Sequence, residues 1–103
     1  MEIITKQQFD EKVLKNEKIV ILDFFANWCG PCKMLMPVLE QVEQEREDVE
    51  ILKVNIDQDE ELAKQFGVLS IPTLVYFSNG EEKDKTVGYR QKNQILEIID
   101  GIK

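Results

Sequence analysis

The sequence predicts an α/β protein, a three-layer α/β/α sandwich with a mixed central sheet and the element order β-α-β-α-β-α-β-β-α. Two observations carry this prediction. Strand-like and helical patterns alternate from Glu2 to Phe66, which favours parallel strands in a sheet covered on both faces. Asn79-Gly80 then stands between two further strand candidates, and this dipeptide is typical of a tight turn joining antiparallel strands.

Two strands and a helix are predicted in the first quarter of the chain. Glu2–Ile4 is a short strand candidate. Thr5 and Gln8 have the spacing of a capping box, which predicts a helix that begins here and ends near Asn16. Ile19–Phe25 is predicted to be a buried strand, because six of its seven residues are apolar and the seventh is acidic.

A long helix is predicted after the buried strand, ending near Arg46. Its apolar positions recur at the spacing of one helix face, namely Leu35, Val38, Leu39 and Val42. Pro37 lies inside this pattern and predicts a kink, because proline removes one backbone hydrogen bond from the helix.

The second half of the chain contains three further strands and two further helices. The strands are predicted at Ile51–Asp57, Thr73–Phe77 and about Glu82–Val87. Asp59–Phe66 is predicted to be a short helix that Gly67 ends. Gln91–Ile102 is predicted to be the last helix, with its isoleucines on the inner face.

Composition excludes several classes of protein. The 103 residues fit one domain, expected to span residues 1–103. Twenty acidic and 13 basic side chains give a net charge of −7, which argues against nucleic acid as a partner. Histidine is absent, so the commonest general base and metal ligand is missing. Two cysteines are too few for a disulfide-rich scaffold.

No targeting or membrane segment is recognised. The N-terminus lacks the basic and apolar regions of a signal peptide, and the apolar run Ile19–Phe25 is far short of the ~20 residues of a membrane helix. We therefore expect a cytoplasmic protein without a membrane partner. Structural disulfides are rare in that compartment, so the two cysteines are predicted to be catalytic or metal-binding.

The spacing of the cysteines predicts a reversible disulfide. Cys29 and Cys32 lie where the buried strand meets the long helix, the place where open α/β sheets hold their sites. Residues three apart in a helix have Cα atoms about 5 Å apart, which lies within the range that a disulfide spans. Closure of so small a ring adds little stability, which suits a bond that is repeatedly made and broken.

The helix start assigns different roles to the two thiols. Cys29 is predicted at the N-terminus, where free amides and the helix dipole lower the pKa of a thiol. Lys33 is expected to add a little to this effect, and Pro31 fits the first turn. Cys32 lies one turn further and is expected to be less exposed. Cys29 is thus predicted to be the nucleophile and Cys32 the resolving thiol.

Half of a zinc or iron–sulfur site is the competing interpretation of the two cysteines. Such sites need four ligands, and the chain offers two cysteines and no histidine. A site completed by carboxylates, or bridged between two copies, stays open as an alternative.

The combined motifs resemble the thioredoxin family. Trp28-Cys29-Gly30-Pro31-Cys32-Lys33 follows a strand that ends in Asp-Phe-Phe-Ala, and Ile71-Pro72-Thr73 precedes a later strand. Asn79-Gly80 and Gly88 complete the pattern. The resemblance covers the whole chain in length, element order and motif spacing, and it implies the thioredoxin fold.

The resemblance also implies roles for two charged residues. Taken alone, Asp23 is either a solvated carboxylate at a strand end or a buried one whose desolvation raises its pKa. The family carries a buried aspartate at the matching position, which implies that Asp23 accepts the proton of Cys32. Lys53 resembles the family's lysine near that aspartate. Its alternative interpretation is an exposed lysine of the strand.

A substrate groove is implied beside the dithiol. In the family the bond before the proline of this motif is cis, so we expect a cis bond between Ile71 and Pro72 and backbone groups of Ile71 free to pair with an extended substrate. Trp28 is predicted to be an exposed apolar contact, with a core aromatic as the alternative. Gly88 is predicted to mark a close backbone approach at the groove.

Two positions depart from the family pattern. Ser70 stands where several members have glycine, and Tyr89 where a small residue is usual. Tyr89 is expected to narrow the groove and alter the choice of partner.

The predicted function is thiol–disulfide exchange that reduces protein disulfides. The resemblance implies a monomer with no bound cofactor, recycled by a thioredoxin reductase that uses flavin and NADPH. An oxidant or isomerase is the alternative within this chemistry, against which the Gly30-Pro31 spacer and the missing signal sequence argue. A redox-independent binding subunit or chaperone that clamps a partner is the alternative outside it.

Overall fold

A computed structural model describes all residues from Met1 to Lys103. Its strands are β1 (Glu2–Ile3), β2 (Ile19–Phe25), β3 (Val49–Asn55), β4 (Thr73–Ser78) and β5 (Glu81–Val87). Its α-helices are α1 (Lys6–Phe9), α2 (Gly30–Glu45), α3 (Glu60–Gln65) and α4 (Lys92–Ile102). The predicted order of elements and the α/β class are confirmed. No helix combines the length and the apolar character that crossing a membrane requires.

The five strands form one mixed sheet in the order β1-β3-β2-β4-β5. β1 and β2 both pair with β3 in parallel, whereas β4 runs antiparallel to β2 and β5 antiparallel to β4. Because β4 runs against β2, its first residues lie at the carboxyl end of β2. The sheet order therefore brings the loop before β4 to the cysteines that follow β2.

Alternate residues of β2 face two separate cores. Val20, Leu22 and Phe24 point to the side covered by α1 and α3. Ile19 and Ile21 point to the side covered by α2 and α4. By the two-residue repeat of a strand, Asp23 belongs to the second side and faces α2.

α2 is anchored by the predicted apolar face. Leu35, Leu39 and Val42 are fully buried and Val38 is partly buried against the same core. α2 continues as one α-helix through Pro37, and the kink predicted there stays a prediction. This anchoring holds the start of α2 over the sheet.

The first helix is shorter than predicted. The capping box is confirmed, since the Thr5 amide donates to Gln8 Oε1 at 3.0 Å. The α-helix ends at Phe9, however, and a π-helical segment follows over Asp10–Leu14. The amide of Lys15 donates to the carbonyl oxygen of Asp10 at 3.0 Å, a bond that spans five residues and widens the last turn.

The hairpin between β4 and β5 has the predicted turn. Asn79 and Gly80 both have positive φ, 53° and 78°, as a type I′ turn requires. A Cβ on Gly80 would collide with the carbonyl oxygen of Leu14. The turn therefore needs glycine both for its backbone conformation and for its contact with the end of the π-helical segment.

Candidate active site

The two cysteines lie between the carboxyl end of β2 and the first turn of α2. Cys29 is the N-cap residue of α2 and has extended backbone, and Cys32 lies in the first turn. Their sulfur atoms form a disulfide, and their Cα atoms are 5.3 Å apart. This distance confirms the separation predicted from the spacing.

The start of α2 directs a hydrogen-bond donor at the Cys29 sulfur. The amide of Cys32 donates to Cys29 Sγ at 3.2 Å. Gly30 and Pro31 form the exposed first turn, where proline has no N–H that needs a partner. The side chain of Lys33 is exposed, so its charge reaches the sulfurs through solvent. Once the disulfide opens, this environment stabilises a thiolate on Cys29.

The two cysteines are equally buried. Each is 4% exposed, so the prediction that Cys32 is the less exposed is wrong for the oxidised protein. The disulfide is the physical reason, since it holds both sulfurs in one small apolar cluster with Phe25 and Ala26. Residue burial alone therefore does not decide which sulfur a partner reaches.

The loop before β4 packs against the disulfide. The peptide bond between Ile71 and Pro72 is cis, as the family resemblance implies. The carbonyl oxygen of Ile71 lies 3.9 Å from Cys29 Sγ. The amide of Gly88 donates to the carbonyl oxygen of Pro72 at 2.7 Å, so the segment after β5 is joined to the loop before β4. Ile71 thus lies next to the Cys29 sulfur, and Gly88 is linked to this site through Pro72.

Gly88 is explained by its backbone conformation. Its φ of 91° lies in the left-handed region that favours glycine. A Cβ at this position would meet nothing closer than a guanidinium nitrogen of Arg90 at 3.8 Å. The predicted close approach is therefore a backbone hydrogen bond to Pro72 and not a site too crowded for a side chain.

Trp28 lies on the surface beside the disulfide. It is 69% exposed, so the alternative of a core aromatic is wrong. Its indole N–H donates to Asp57 Oδ2 at 3.0 Å, which fixes the orientation of the ring. The ring forms one wall of a cleft of about 330 Å³, whose other apolar walls include Leu69 and Ile71.

Asp23 is the buried carboxylate that the second interpretation predicts. Its side chain faces α2 from the centre of the sheet, it is 1% exposed, and Oδ1 has no hydrogen-bond partner. Burial raises the pKa of Asp23 from 3.8 to about 7, and the positive charge of Lys53 opposes part of this rise. A carboxyl group with this pKa can exchange a proton near neutral pH.

Lys53 is buried beside Asp23, and its alternative as an exposed lysine is wrong. It is 6% exposed because β3 lies between β1 and β2 and α2 covers this face. Asp23 and Lys53 are register partners on adjacent strands. The Lys53 ammonium lies 4.1 Å from the centre of the Phe25 ring. It donates to Met36 Sδ at 3.4 Å.

Comparison with known proteins decides the family. The sequence profile of the family described as Thioredoxin matches residues 1–101. The chain belongs to the thioredoxin family. It is 45% identical over 98 residues to the thioredoxin of Rickettsia bellii, covering 94% of this chain and 93% of the relative. It is 44% identical over 100 residues to the thioredoxin of Chlamydia caviae, covering 97% and 96%.

Family membership and the bonded Cys29–Cys32 pair together establish the chemistry. The protein is a thiol–disulfide oxidoreductase of the protein-disulfide reductase type, whose redox centre is its own disulfide. The thioredoxin chemistry needs no bound cofactor, because the two electrons reside on the sulfurs. No group of three or more histidine, cysteine, aspartate or glutamate side chains is arranged as metal ligands would be.

Of the two positions that depart from the thioredoxin pattern, Ser70 lines the cleft beside Trp28 and Tyr89 follows the segment that bonds to Pro72. Ser70 is exposed, and its carbonyl oxygen accepts the Thr73 hydroxyl at 2.6 Å. Tyr89 is 40% exposed and directly follows Gly88. The effect of either residue on partner choice stays a prediction.

Two residues of the site were missed in the sequence. Asp57 is the partner of the Trp28 indole. It follows β3, whose carboxyl end lies beside that of β2 because the two strands are parallel neighbours. This placement is the signal that could have indicated Asp57. Leu69, 97% exposed, is an apolar residue in a loop with no helical or strand periodicity around it, so no pattern indicated its position.

Proposed function

We propose that Cys29 is the attacking thiol and Cys32 the resolving thiol of the reductase. The Cys29 thiolate attacks a client disulfide, forms a bond to one client sulfur and releases the other as a thiolate. The Cys32 thiolate then attacks Cys29 Sγ, closes the internal disulfide and releases the second client sulfur. The client gains the two electrons that the dithiol loses. The hydrogen bond from the Cys32 amide to Cys29 Sγ carries this assignment.

Asp23 is proposed to accept the proton of Cys32 before the second attack. The chain has no histidine, and Asp23 is the buried acid whose pKa is raised to about 7 on the face under α2. Lys53 supports this role by its charge, which keeps the pKa of Asp23 from rising further. Gly30 and Pro31 support the attacking role of Cys29 by forming the first turn of α2, and the charge of Lys33 adds a little to the stabilisation of the Cys29 thiolate.

The client is proposed to bind as an extended segment beside the disulfide. Its backbone pairs with Ile71, whose carbonyl oxygen lies next to Cys29 Sγ. Trp28 provides exposed apolar contact, Pro72 orients Ile71 through its cis bond, and Gly88 holds Pro72 in place through its amide hydrogen bond. This arrangement places a client sulfur close to Cys29.

The oxidised protein is proposed to be recycled by a thioredoxin reductase that takes electrons from NADPH through a flavin. We further propose that the chain acts as a monomer of one domain, over residues 1–103, in the cytoplasm. A reducing compartment fits a protein whose task is to remove disulfides.

Insulin reduction coupled to NADPH and a thioredoxin reductase tests the proposal. Cys29→Ser should abolish turnover, because the first attack has no nucleophile. Cys32→Ser should complete the first attack only, and should accumulate a covalent adduct with insulin that mass spectrometry detects. Normal turnover by Cys32→Ser would contradict the assigned roles. Full function of the Cys29→Ser/Cys32→Ser double variant in a cellular assay would favour the redox-independent binding role instead.

A further inference from the structure

The ammonium of Lys53 is buried among neutral partners. Lys53 is 6% exposed, and its one hydrogen-bond acceptor is Met36 Sδ at 3.4 Å. The ring of Phe25 lies 4.1 Å from the nitrogen and offers a cation–π contact. A thioether is a weak acceptor without charge, whereas buried ammonium groups are usually paired with carboxylates.

A carboxylate is available on the neighbouring strand. Asp23 is the register partner of Lys53, and both side chains face α2. Asp23 Oδ1 has no hydrogen-bond partner, and no salt bridge joins the two side chains. An ion pair would satisfy both groups, yet the ammonium contacts Met36 and Phe25 instead.

We propose that Met36 is a positioning residue whose thioether, together with the Phe25 ring, holds the Lys53 ammonium away from the Asp23 carboxylate. A lysine side chain has four flexible bonds, so its nitrogen needs a contact to stay in one place. Held in this position, Lys53 acts on Asp23 through space and not through a hydrogen bond. Burial then remains the larger influence on the proton affinity of Asp23.

The other charged groups near Lys53 are poor substitutes for Asp23. They belong to residues that line a cavity of about 530 Å³ between β1 and α2, namely Glu40, Glu43 and Met1, which carries the terminal amino group. Glu43 already accepts a backbone amide of β3 at 3.0 Å. Glu40 is exposed to water, and the amino terminus repels an ammonium. A Lys53 ammonium released from Met36 would therefore turn to Asp23.

The substitution Met36→Leu tests this inference, because it removes the acceptor and keeps an apolar side chain of similar volume. Direct contact with Lys53 favours the carboxylate, so the pKa of Asp23 should fall. The proton concentration at which half of the Asp23 side chains are protonated should therefore rise about tenfold or more. The measurement is the carbon-13 shift of the Asp23 carboxyl group against pH in the oxidised full chain, where the disulfide does not titrate.

Three further variants identify the cause of the shift. Met34→Leu makes the same exchange at a methionine that is 64% exposed, and should leave the midpoint unchanged. Met36→Gln offers a neutral oxygen acceptor and should return the midpoint toward that of the native protein. In a Lys53→Met background, Met36→Leu should have no effect.

An unchanged or raised pKa in Met36→Leu, or an equal fall without Lys53, would overturn the inference. The consequence of this inference for turnover rests on the proposed function, in which Asp23 accepts the proton of Cys32. The titration is read without activity, so a failed insulin assay of the native protein would reject the proposed function and leave this result interpretable.

Discussion

Asp23 is the one charged residue of β2 and Lys53 is one of two in β3, and both are buried. The sequence pattern shows that each interrupts a strand, but a strand residue of this kind can face solvent or core. The choice depends on whether α2 covers that face of the sheet. Once it does, desolvation becomes the largest influence on the pKa of Asp23.

The burial of Asp23 predicts a specific dependence of stability on pH. The folded-state pKa is about 7, against 3.8 for the ordinary carboxyl group. Between these values the folded protein holds a proton that the unfolded chain has lost, so the free energy of unfolding should fall as the pH rises. Asp23→Asn removes the buried charge. The free energy of unfolding of this variant should exceed that of the oxidised native protein by up to about 4 kcal/mol near pH 8.

Urea unfolding of both oxidised proteins checks this prediction. The difference in free energy of unfolding should be large near pH 8 and should shrink toward pH 4, where Asp23 is protonated in the folded protein and close to half-protonated in the unfolded chain. A difference that is the same at both ends of this range would show that the carboxylate charge is not its cause.

Local elements of the fold follow from short-range chemistry, but the pattern of apolar residues does not mark their exact ends. The capping box before α1 and the Asn79-Gly80 turn each depend on a few neighbouring residues, and the structure confirms both predictions. β3 ends at Asn55, two residues earlier than predicted, because the Asn55 side chain accepts the amide of Asp57 at 2.9 Å and turns the chain. The π-helical segment after α1 had no signal in the pattern of apolar residues.

The hairpin turn provides a prediction at this scale. Gly80→Ala should lower the free energy of unfolding by about 1–3 kcal/mol, because it combines a positive φ with a collision against the Leu14 carbonyl oxygen. Gly67→Ala is the matched control. Gly67 has a φ of 64°, and an added Cβ would meet nothing closer than Lys85 Nζ at 3.9 Å. It should therefore show the smaller loss in thermal or urea unfolding, and equal losses would contradict the role of the Leu14 contact.

For the whole molecule, the sheet order assembles the site, and the chain carries a net negative charge. Cys29 follows β2, Ile71 precedes β4 and Gly88 follows β5, and the antiparallel arrangement brings all three to one end of the sheet. The chain that carries them has a net charge of −7. Exposed charge of one sign acts over about 10 Å at 0.1 M salt and influences how fast a charged partner arrives.

The net charge predicts that salt affects clients differently. Reduction of a cationic disulfide peptide should slow as salt rises from about 0.02 M to about 0.2 M, because screening weakens its attraction to the protein. A neutral peptide of the same length should show little change, and an anionic one should speed up. Stopped-flow rates with the reduced protein provide the measurement. The same salt response for all three peptides would show that net charge does not steer association.

The sequence by itself determined the class of fold, the disulfide and its place at a helix start. These properties depend on periodicity, on turn residues and on the distance between positions three apart, all of which are local. The cis bond before Pro72 and a buried Asp23 followed from resemblance to thioredoxins, and the structure agrees with both.

Only the tertiary structure decided the surroundings of these residues. It showed equal burial of Cys29 and Cys32, the contact between Lys53 and Met36, and the hydrogen bond from Trp28 to Asp57. Each joins segments that are connected only through packing of the sheet and its helices. The environment of a side chain is set by atoms that come near it in space, and a pattern along the chain records only those that are near in sequence.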